Sequence, residues 1–138
     1  MRTPTVFKLL LLFAGILILG CGSSSDIQPV TGKVLLSDGS PADAGVIKFR
    51  TVSDEGEEVK AFGQIQSDGS FQLTTFDEGD GAFLGEHEAL LFLPAIGDGQ
   101  RPMKTKSFPT KYRNYETSGL KFNVGPGEND FVIRLEAR

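Results

Sequence analysis

Two runs of alternating residues on either side of Asp68-Gly69 constrain the fold of this chain more than any other feature. Every second residue of these runs is apolar, small or β-branched, and all fall on one face: Val59, Ala61, Gly63, Ile65, Phe71, Leu73 and Thr75. Side chains alternate between the faces of a β-strand, and an Asp-Gly pair accepts the positive φ angles of a tight turn. The pattern therefore predicts a β-hairpin that turns over Ser67-Asp68-Gly69-Ser70.

Further short runs of the same kind extend along the chain. They predict strands at 30–36, 45–51, 85–94, 120–124 and 131–135. In the second of these, Ile47 and Phe49 should face inward and Lys48 and Arg50 outward. The segment Ala89-Leu90-Leu91-Phe92-Leu93 is apolar on both faces, which is typical of a central strand. Residues 110–118 predict one helical turn, and no longer segment after residue 21 keeps a helical period. About seven short strands with close turns predict a single all-β domain, a β-sandwich of two packed sheets.

The N-terminal residues have the composition of an export signal. Arg2 and Lys8 precede an apolar run, Leu9–Leu19, that only Gly15 interrupts. A transmembrane helix needs about 20 apolar residues, roughly twice the length of this run. A basic start followed by a short apolar stretch and a small residue predicts a cleaved signal peptide over residues 1–20. The alternatives are an uncleaved hydrophobic anchor and a free secreted domain.

The end of this leader, Ile18-Leu19-Gly20-Cys21, resembles the lipobox of bacterial lipoproteins. The resemblance implies a diacylglyceryl group on Cys21, cleavage before it and acylation of the new amino group, palmitate being typical. Leu19 departs from the pattern, because a small residue is commoner there. Two or three acyl chains anchor a protein stably to a membrane. We therefore expect residues 21–26 to be a lipidated cysteine with a flexible tether, and residues 27–138 to be the folded domain.

Charge and cysteine content exclude several classes of protein. Arg2 and Lys8 lie in the leader, so residues 21–138 carry 12 basic and 18 acidic residues, a net charge of −6. Nucleic-acid binding needs clustered basic residues, and we expect no nucleic-acid partner. Cys21 is the only cysteine, so the chain forms no intramolecular disulfide.

The order of the turn motifs carries a family resemblance over residues 27–136. Val30-x-Gly32-x-Val34, Asp38-Gly39-x-Pro41-Ala42 and Ser67-Asp68-Gly69-Ser70-Phe71-x-Leu73 resemble carboxypeptidase-regulatory-like domains. Four later motifs look like small bacterial lipoproteins of that fold: Gly79-Asp80-Gly81-Ala82, Gly85-Glu86, Pro109-x-Lys111-Tyr112 and Thr117-Ser118-Gly119-Leu120. The resemblance implies a transthyretin-like sandwich, Ig-like with Greek-key connections. It implies no particular chemistry, because a fold hosts many functions.

The residues offer little for catalysis. His87 is the only histidine and shares a strand face with Ala89 and Leu91, which predicts a packing residue; Glu86 and Glu88 point to the opposite face. Some transthyretin-like relatives are ring-opening hydrolases with several histidines and a C-terminal Tyr-Arg-Gly-Ser. This chain ends Arg134-Leu135-Glu136-Ala137-Arg138 and lacks both. We expect a non-enzymatic protein without a cofactor.

Two loops contain candidate binding residues. Asp77, Glu78 and Asp80 lie in the Gly-rich loop Phe76–Leu84, where their carboxylates could bind calcium or form a plain acidic turn. Tyr112, Arg113 and Tyr115 follow the connection 95–109 and could bind a peptide or a sugar. The alternative is that Tyr112 fills the open end of the sandwich. Nearby lysines could instead meet anionic lipid headgroups: Lys104, Lys106 and Lys111.

Together these features predict a lipid-anchored module of the cell envelope. We expect it on the cell membrane or outer membrane, facing the periplasm or the exterior. It would bind an envelope protein or a polysaccharide, or act structurally. The competing functions are a calcium- or carbohydrate-dependent adhesion module and a small envelope hydrolase.

Overall fold

The computed structural model describes residues 26–95 and 108–137. Cys21 and the predicted leader lie outside these residues, as do Lys104 and Lys106. The described residues form nine strands: β1 (Ile27–Gln28), β2 (Val30–Leu35), β3 (Gly45–Val52), β4 (Glu58–Ile65), β5 (Ser70–Gln72), β6 (Ala82–Phe83), β7 (Gly85–Phe92), β8 (Leu120–Val124) and β9 (Asn129–Arg134). A 3₁₀ turn, Thr110–Arg113, and a one-turn helix, α1 (Tyr115–Ser118), precede β8.

These strands form two main sheets and a small third one. A four-stranded antiparallel sheet has the order β4-β3-β7-β8, and a three-stranded sheet has the order β5-β2-β9. The short strands β1 and β6 pair with each other. The all-β sandwich prediction is confirmed, as is the central position of β7. Two two-residue strands raise the count above the predicted seven. In the described part of the chain, no helix is long and apolar enough to span a membrane.

The core lies between the inner faces of the two main sheets. Alternate residues of each strand are buried, and the largest fully buried ones are Phe49, Phe108, Ile47, Leu73, Leu91, Val30, Val34 and Val124. The ring of Phe49 stacks on Phe122 with centroids 5.0 Å apart, and Phe122 lies 5.0 Å from Phe131. Because Phe131 belongs to β9, these three rings join the sheets. Each buried side chain of this size stabilises the fold by about 1.5–3 kcal/mol.

The hairpin predicted around Asp68-Gly69 is wrong in its pairing. The turn itself forms: the Gly69 N–H donates to the Gln66 carbonyl at 2.9 Å. However, β5 pairs with β2. The segment that follows β4 pairs with β4 only through the isolated Phe62–Thr74 bridge. The turn thus carries the chain from the four-stranded sheet to the three-stranded one. Both arms still face the core, because the apolar pattern specifies a face and not a partner.

The pairing of β2 with β9 joins the two ends of the domain. The strands are parallel, from Val30 opposite Asn129 to Leu35 opposite Arg134. A parallel pair needs a long crossover, and here nearly the whole domain provides it. As a result β2 is bonded on both sides, to β5 and to β9.

Two turns with the same hydrogen bonds provide a matched test of this packing. Gly39 and Gly69 have φ angles of 81° and 84° in Asp-Gly-Ser turns. A Cβ on Gly39 meets nothing within 4 Å, whereas one on Gly69 would lie 2.7 Å from the Val34 carbonyl oxygen. Gly39→Ala should cost about 1 kcal/mol of unfolding free energy from left-handed strain alone. Gly69→Ala should cost roughly 2 kcal/mol more because of overpacking.

Urea unfolding of the two variants beside the wild type measures this difference. Equal losses in both variants would contradict the packing of the Gly69 turn against β2.

Candidate functional site

The four-stranded sheet opens at one end, between β3 and β7. Their pairing stops at Arg50 and Glu88, although both strands continue beyond this pair. In place of the next ladder bonds, the Thr51 hydroxyl donates to the Glu86 carbonyl at 2.7 Å. The opening leads into a cavity of about 800 Å³, which we call the β3–β7 groove.

The groove combines an apolar floor with a polar rim. His87 and Phe122 come from the inner face of the sheet, and the rim carries Glu86, Lys121 and Asn123. Both kinds of residue meet here because, without the ladder, inner and outer residues both line the gap between the two strands. Such a mixture, apolar with a few polar groups, is typical of ligand sites.

Arg50 is held in place at the rim of the groove. Its Nε and Nη2 atoms donate to one oxygen of Glu88 at 3.1 and 2.9 Å, and Nη2 also reaches Glu116 at 3.3 Å. The guanidinium carbon lies 4.0 Å from the centre of the Tyr115 ring. The hydrogen bonds that Arg50 donates to Glu88 raise the pKa of Arg50 above its ordinary value. Exposed ion pairs contribute little stability, so the main effect of this cluster is to fix the direction of the guanidinium.

A third carboxylate extends this cluster along the rim. Glu58 lies 3.7 Å from Nη1 of Arg50 and 2.5 Å from the Lys60 ammonium. The hydrogen bond from Lys60 is the main cause that lowers the pKa of Glu58. Glu58 is therefore ionised and paired at neutral pH.

Tyr115 keeps a buried hydroxyl without a partner among the described residues. Burial raises the pKa of Tyr115 to about 12, so the phenol stays protonated. An unpartnered buried hydroxyl costs free energy unless something bonds to it. The contact that Tyr115 makes at the site is the packing of its ring against the Arg50 guanidinium.

His87 has a second unpartnered atom. The side chain is 3 % exposed, and its Nε2 lies 2.7 Å from the Phe83 carbonyl oxygen. A carbonyl only accepts, so Nε2 carries the proton and Nδ1 is a bare acceptor. No described group bonds to Nδ1. Burial lowers the pKa of His87, against the opposing effect of the Phe83 bond, and the ring is neutral near pH 7.

The sequence predictions for His87 and its neighbours hold. His87 shares the buried face with Ala89 and Leu91, while Glu86 and Glu88 lie on the other face. What the sequence did not indicate is the opening beside His87. The packing prediction accounts for the ring and leaves Nδ1 unexplained.

The three calcium candidates do not converge. Both oxygens of Asp80 accept backbone N–H groups, from Thr75 at 2.7 Å and from Phe76 and Asp77 at 2.9 Å. Burial opposes the charge of Asp80, but these bonds outweigh it and lower its pKa. Across 26–95 and 108–137, no group of three His, Cys, Asp or Glu side chains is placed to hold a metal ion. The loop with Asp77 and Glu78 is an acidic turn organised by Asp80.

The aromatic-basic residues around Tyr112 do not form an exposed patch. Tyr112 is 3 % exposed, and its hydroxyl accepts the Glu136 N–H at 2.9 Å. This is the packing alternative. Arg113 remains exposed at the end of the 3₁₀ turn, and Tyr115 lies under Arg50. The structure therefore separates the three candidates, and of these only Tyr115 contacts a groove residue, Arg50.

Arg50 is the candidate site residue that sequence reasoning missed. The alternation of β3 indicated only that Arg50 points away from the core. Its partners Glu88 and Glu116 lie 38 and 66 residues further along the chain. Pairing them with Arg50 requires the register of β3 against β7, which the sequence pattern does not contain.

No family model, curated protein or solved structure matches this chain. The class that the fold and the site define is an all-β sandwich with a polar groove in its four-stranded sheet. Family and role are matters of proposal.

The single histidine makes the burial of His87 testable by pH. An unfolded chain takes up a proton at the ordinary His pKa of about 6.5, whereas the folded chain, with its lowered pKa, does not. The free energy of unfolding should therefore fall as the pH is lowered from about 7 to about 5.5. In His87→Gln this part of the pH dependence should disappear.

The slope of the unfolding free energy against pH is measured by denaturant unfolding at closely spaced pH values. The protein should carry a purification tag that contains no histidine. The losses caused by carboxylates such as Glu58 and Asp80, whose pKa values are also lowered, occur at lower pH. An unchanged slope in His87→Gln would show that His87 is not the group responsible.

Proposed function

We propose that this chain is a bacterial lipoprotein whose folded domain is a non-enzymatic binding module of the cell envelope. Residues 1–20 direct export and are removed, and Cys21 carries the lipid that anchors the domain. The motif Ile18-Leu19-Gly20-Cys21 supports this proposal. The lone cysteine gains a role in this way, and stable anchoring follows from its acyl chains.

The proposed family is that of carboxypeptidase-regulatory-like domains with a transthyretin-like sandwich. The two packed sheets support it, as do the paired turns at Asp38-Gly39-Ser40 and Asp68-Gly69-Ser70. In both turns the aspartate accepts the backbone N–H and the hydroxyl of the following serine. These are the motifs on which the family resemblance rests.

The observation that carries the function is the position of the groove relative to the start of the fold. The Leu84 N–H donates to the Asp26 carbonyl at 2.7 Å, and the next residue, Gly85, lines the groove. Only residues 22–26 separate Cys21 from β1, a reach of at most about 18 Å. The β3–β7 groove therefore belongs to the anchored end of the domain, close to the membrane.

The groove suits a partner rich in hydroxyl or amide groups. Lys121 and Asn123 offer donors, and Glu86 offers an acceptor, beside the apolar floor. A polysaccharide or an extended peptide presents both kinds of group. We propose an envelope polysaccharide or envelope protein near the membrane as the ligand.

The state of the carboxylates favours binding over hydrolysis. A glycosidase needs one carboxylic acid with a raised pKa to protonate the leaving group. In the groove the pKa of Glu58 is lowered, and Glu88 accepts two bonds from Arg50. The lowered pKa of Glu58 is the opposite of what a general acid needs, and Glu88 is held by Arg50, so the hydrolase alternative has less support.

Cys21→Ser should abolish lipid attachment and leave an uncleaved precursor. A fatty acid with a clickable tag, fed to cells that produce the chain, measures the label, and gel mobility measures cleavage. The position of the thiol is tested by Cys21→Ser combined with Ser23→Cys, which moves the cysteine away from Gly20 and should not restore labelling. Leu19→Ala, closer to the usual pattern, should be processed at least as fast as the wild type. Normal labelling of Cys21→Ser would remove the anchoring proposal.

The groove should contact its partner directly in intact cell envelopes. A photo-crosslinking amino acid in place of Lys121, which is exposed at the rim, should give adducts after illumination. Gln64 is the matched control, because it is exposed on the same sheet outside the groove. We expect several-fold more adduct at Lys121.

The nature of the adduct distinguishes the two proposed partners. A discrete, protease-sensitive band indicates an envelope protein, and a smear removed by glycan-degrading enzymes indicates a polysaccharide. Equal yields at Lys121 and Gln64, or no adduct at Lys121, would contradict the binding role of the groove.

A further inference from the structure

Strand β9 has an open edge. Among the described strands it pairs only with β2. The Asn129 N–H donates to the Pro29 carbonyl and the Leu135 N–H to the Leu35 carbonyl, so odd-numbered residues bond toward β2. Backbone groups alternate in direction along a strand. The N–H and C=O groups of Asp130, Val132 and Arg134 therefore point away from β2, along the open edge.

The other sheet edges are short or guarded. β5 has three residues, β8 carries the exposed Lys121 as its second residue, and the edge of β4 is bridged by Thr74. Natural sheets use short strands, lysines, prolines and covering segments to prevent pairing at edges. The six residues of β9 include neither lysine nor proline. This edge is thus the one best suited to accept another strand.

The side chains along this edge are complementary to themselves. Asp130, Val132 and Arg134 are all exposed, Val132 by 57 %. An acid, an apolar residue and a base follow at equal spacing on one face. If the same strand is laid alongside in the opposite direction, acid meets base, and Val132 meets its own copy.

We propose that β9 pairs antiparallel with β9 of a second copy of this chain, about a two-fold axis at Val132. Asp130 of each copy then lies opposite Arg134 of the other, and the open N–H and C=O groups of all three residues bond across the axis. Opposite charges directly across an antiparallel pair are stabilising. The two three-stranded sheets join into one continuous sheet with the order β5-β2-β9-β9-β2-β5.

The register distinguishes this partner from an unrelated strand. A shift of two residues in either direction sets Val132 against Asp130 or Arg134 and breaks the match. An isologous contact needs a surface that complements its own copy. Asp130, Val132 and Arg134 complement their own copies in one register. An arbitrary peptide has no reason to carry the reversed charge order.

Charge reversal tests the register in the full-length chain, purified in detergent. Asp130→Arg alone and Arg134→Asp alone each create two like-charge contacts and should weaken association by about tenfold. The double variant Asp130→Arg with Arg134→Asp restores opposite charges and should recover dimerisation. Sedimentation velocity over a concentration series measures the dimer dissociation constant of each variant, and circular dichroism checks that each variant is folded.

Disulfide trapping tests the axis independently. In a Cys21→Ser background, Val132→Cys places the only two thiols of the pair opposite each other, within the Cα separation of about 5.5 Å that a disulfide accepts. Mild oxidation should give a covalent dimer. Lys33→Cys is the control: it is exposed on the neighbouring strand opposite Val132, and across the axis its copies lie about 14 Å apart.

Three results would overturn the proposal. The first is a wild-type chain that stays monomeric at every concentration. A β9 edge that pairs with a different partner would also give this result and would overturn the proposal. The second is a double variant no better than the single ones. The third is equal crosslinking of Val132→Cys and Lys33→Cys. Each leaves the groove and the lipid anchor unaffected, because neither involves β9.

Discussion

The stack of Phe49, Phe122 and Phe131 is the interaction on which the rest of the structure depends. It joins β3 and β8 of one sheet to β9 of the other, with neighbouring centroids 5.0 Å apart. His87 also packs against it, 5.7 Å from the ring of Phe49. Since Phe122 forms part of the groove floor, the candidate site is built directly on the core. Aromatic packing of this kind adds about 0.5–1.5 kcal/mol per pair beyond area burial.

The faces of the strands followed from the sequence, whereas their partners did not. Alternation placed Ile47 and Phe49 inside and Lys48 outside because burial of one face is a local, period-two property. The arms around Gly69 looked like a hairpin for the same reason, yet they belong to different sheets. Pairing is decided by contacts distant in sequence, and β2 and β9 lie about a hundred residues apart. A local pattern contains no information on such contacts.

The candidate site was predictable only in part, and for a related reason. His87 was correctly placed inside, and Tyr115 was among the candidate residues, but Arg50 joins Tyr115 only through the folded register of the sheet. Tyr112 and Tyr115 have similar sequence surroundings, yet Tyr112 is buried in the core and Tyr115, three residues later, packs under Arg50. Asp80 is a further case in which the sequence did not indicate the partners of a side chain. Its carboxylate accepts hydrogen bonds from backbone N–H groups of its own loop.

The central place of β2 has a mechanical consequence. A pull on the chain from the N-terminal side of Asp26 reaches β1 first, and this strand has only two paired residues. The load then passes to β2, which is bonded to β9 over six residues and to β5 over three. When the pull acts along β2, these hydrogen bonds lie across it. They then share the load in shear and must break together instead of one by one. Once β1 has detached, the β-sandwich therefore resists tension at this terminus through β2, which is paired on both sides.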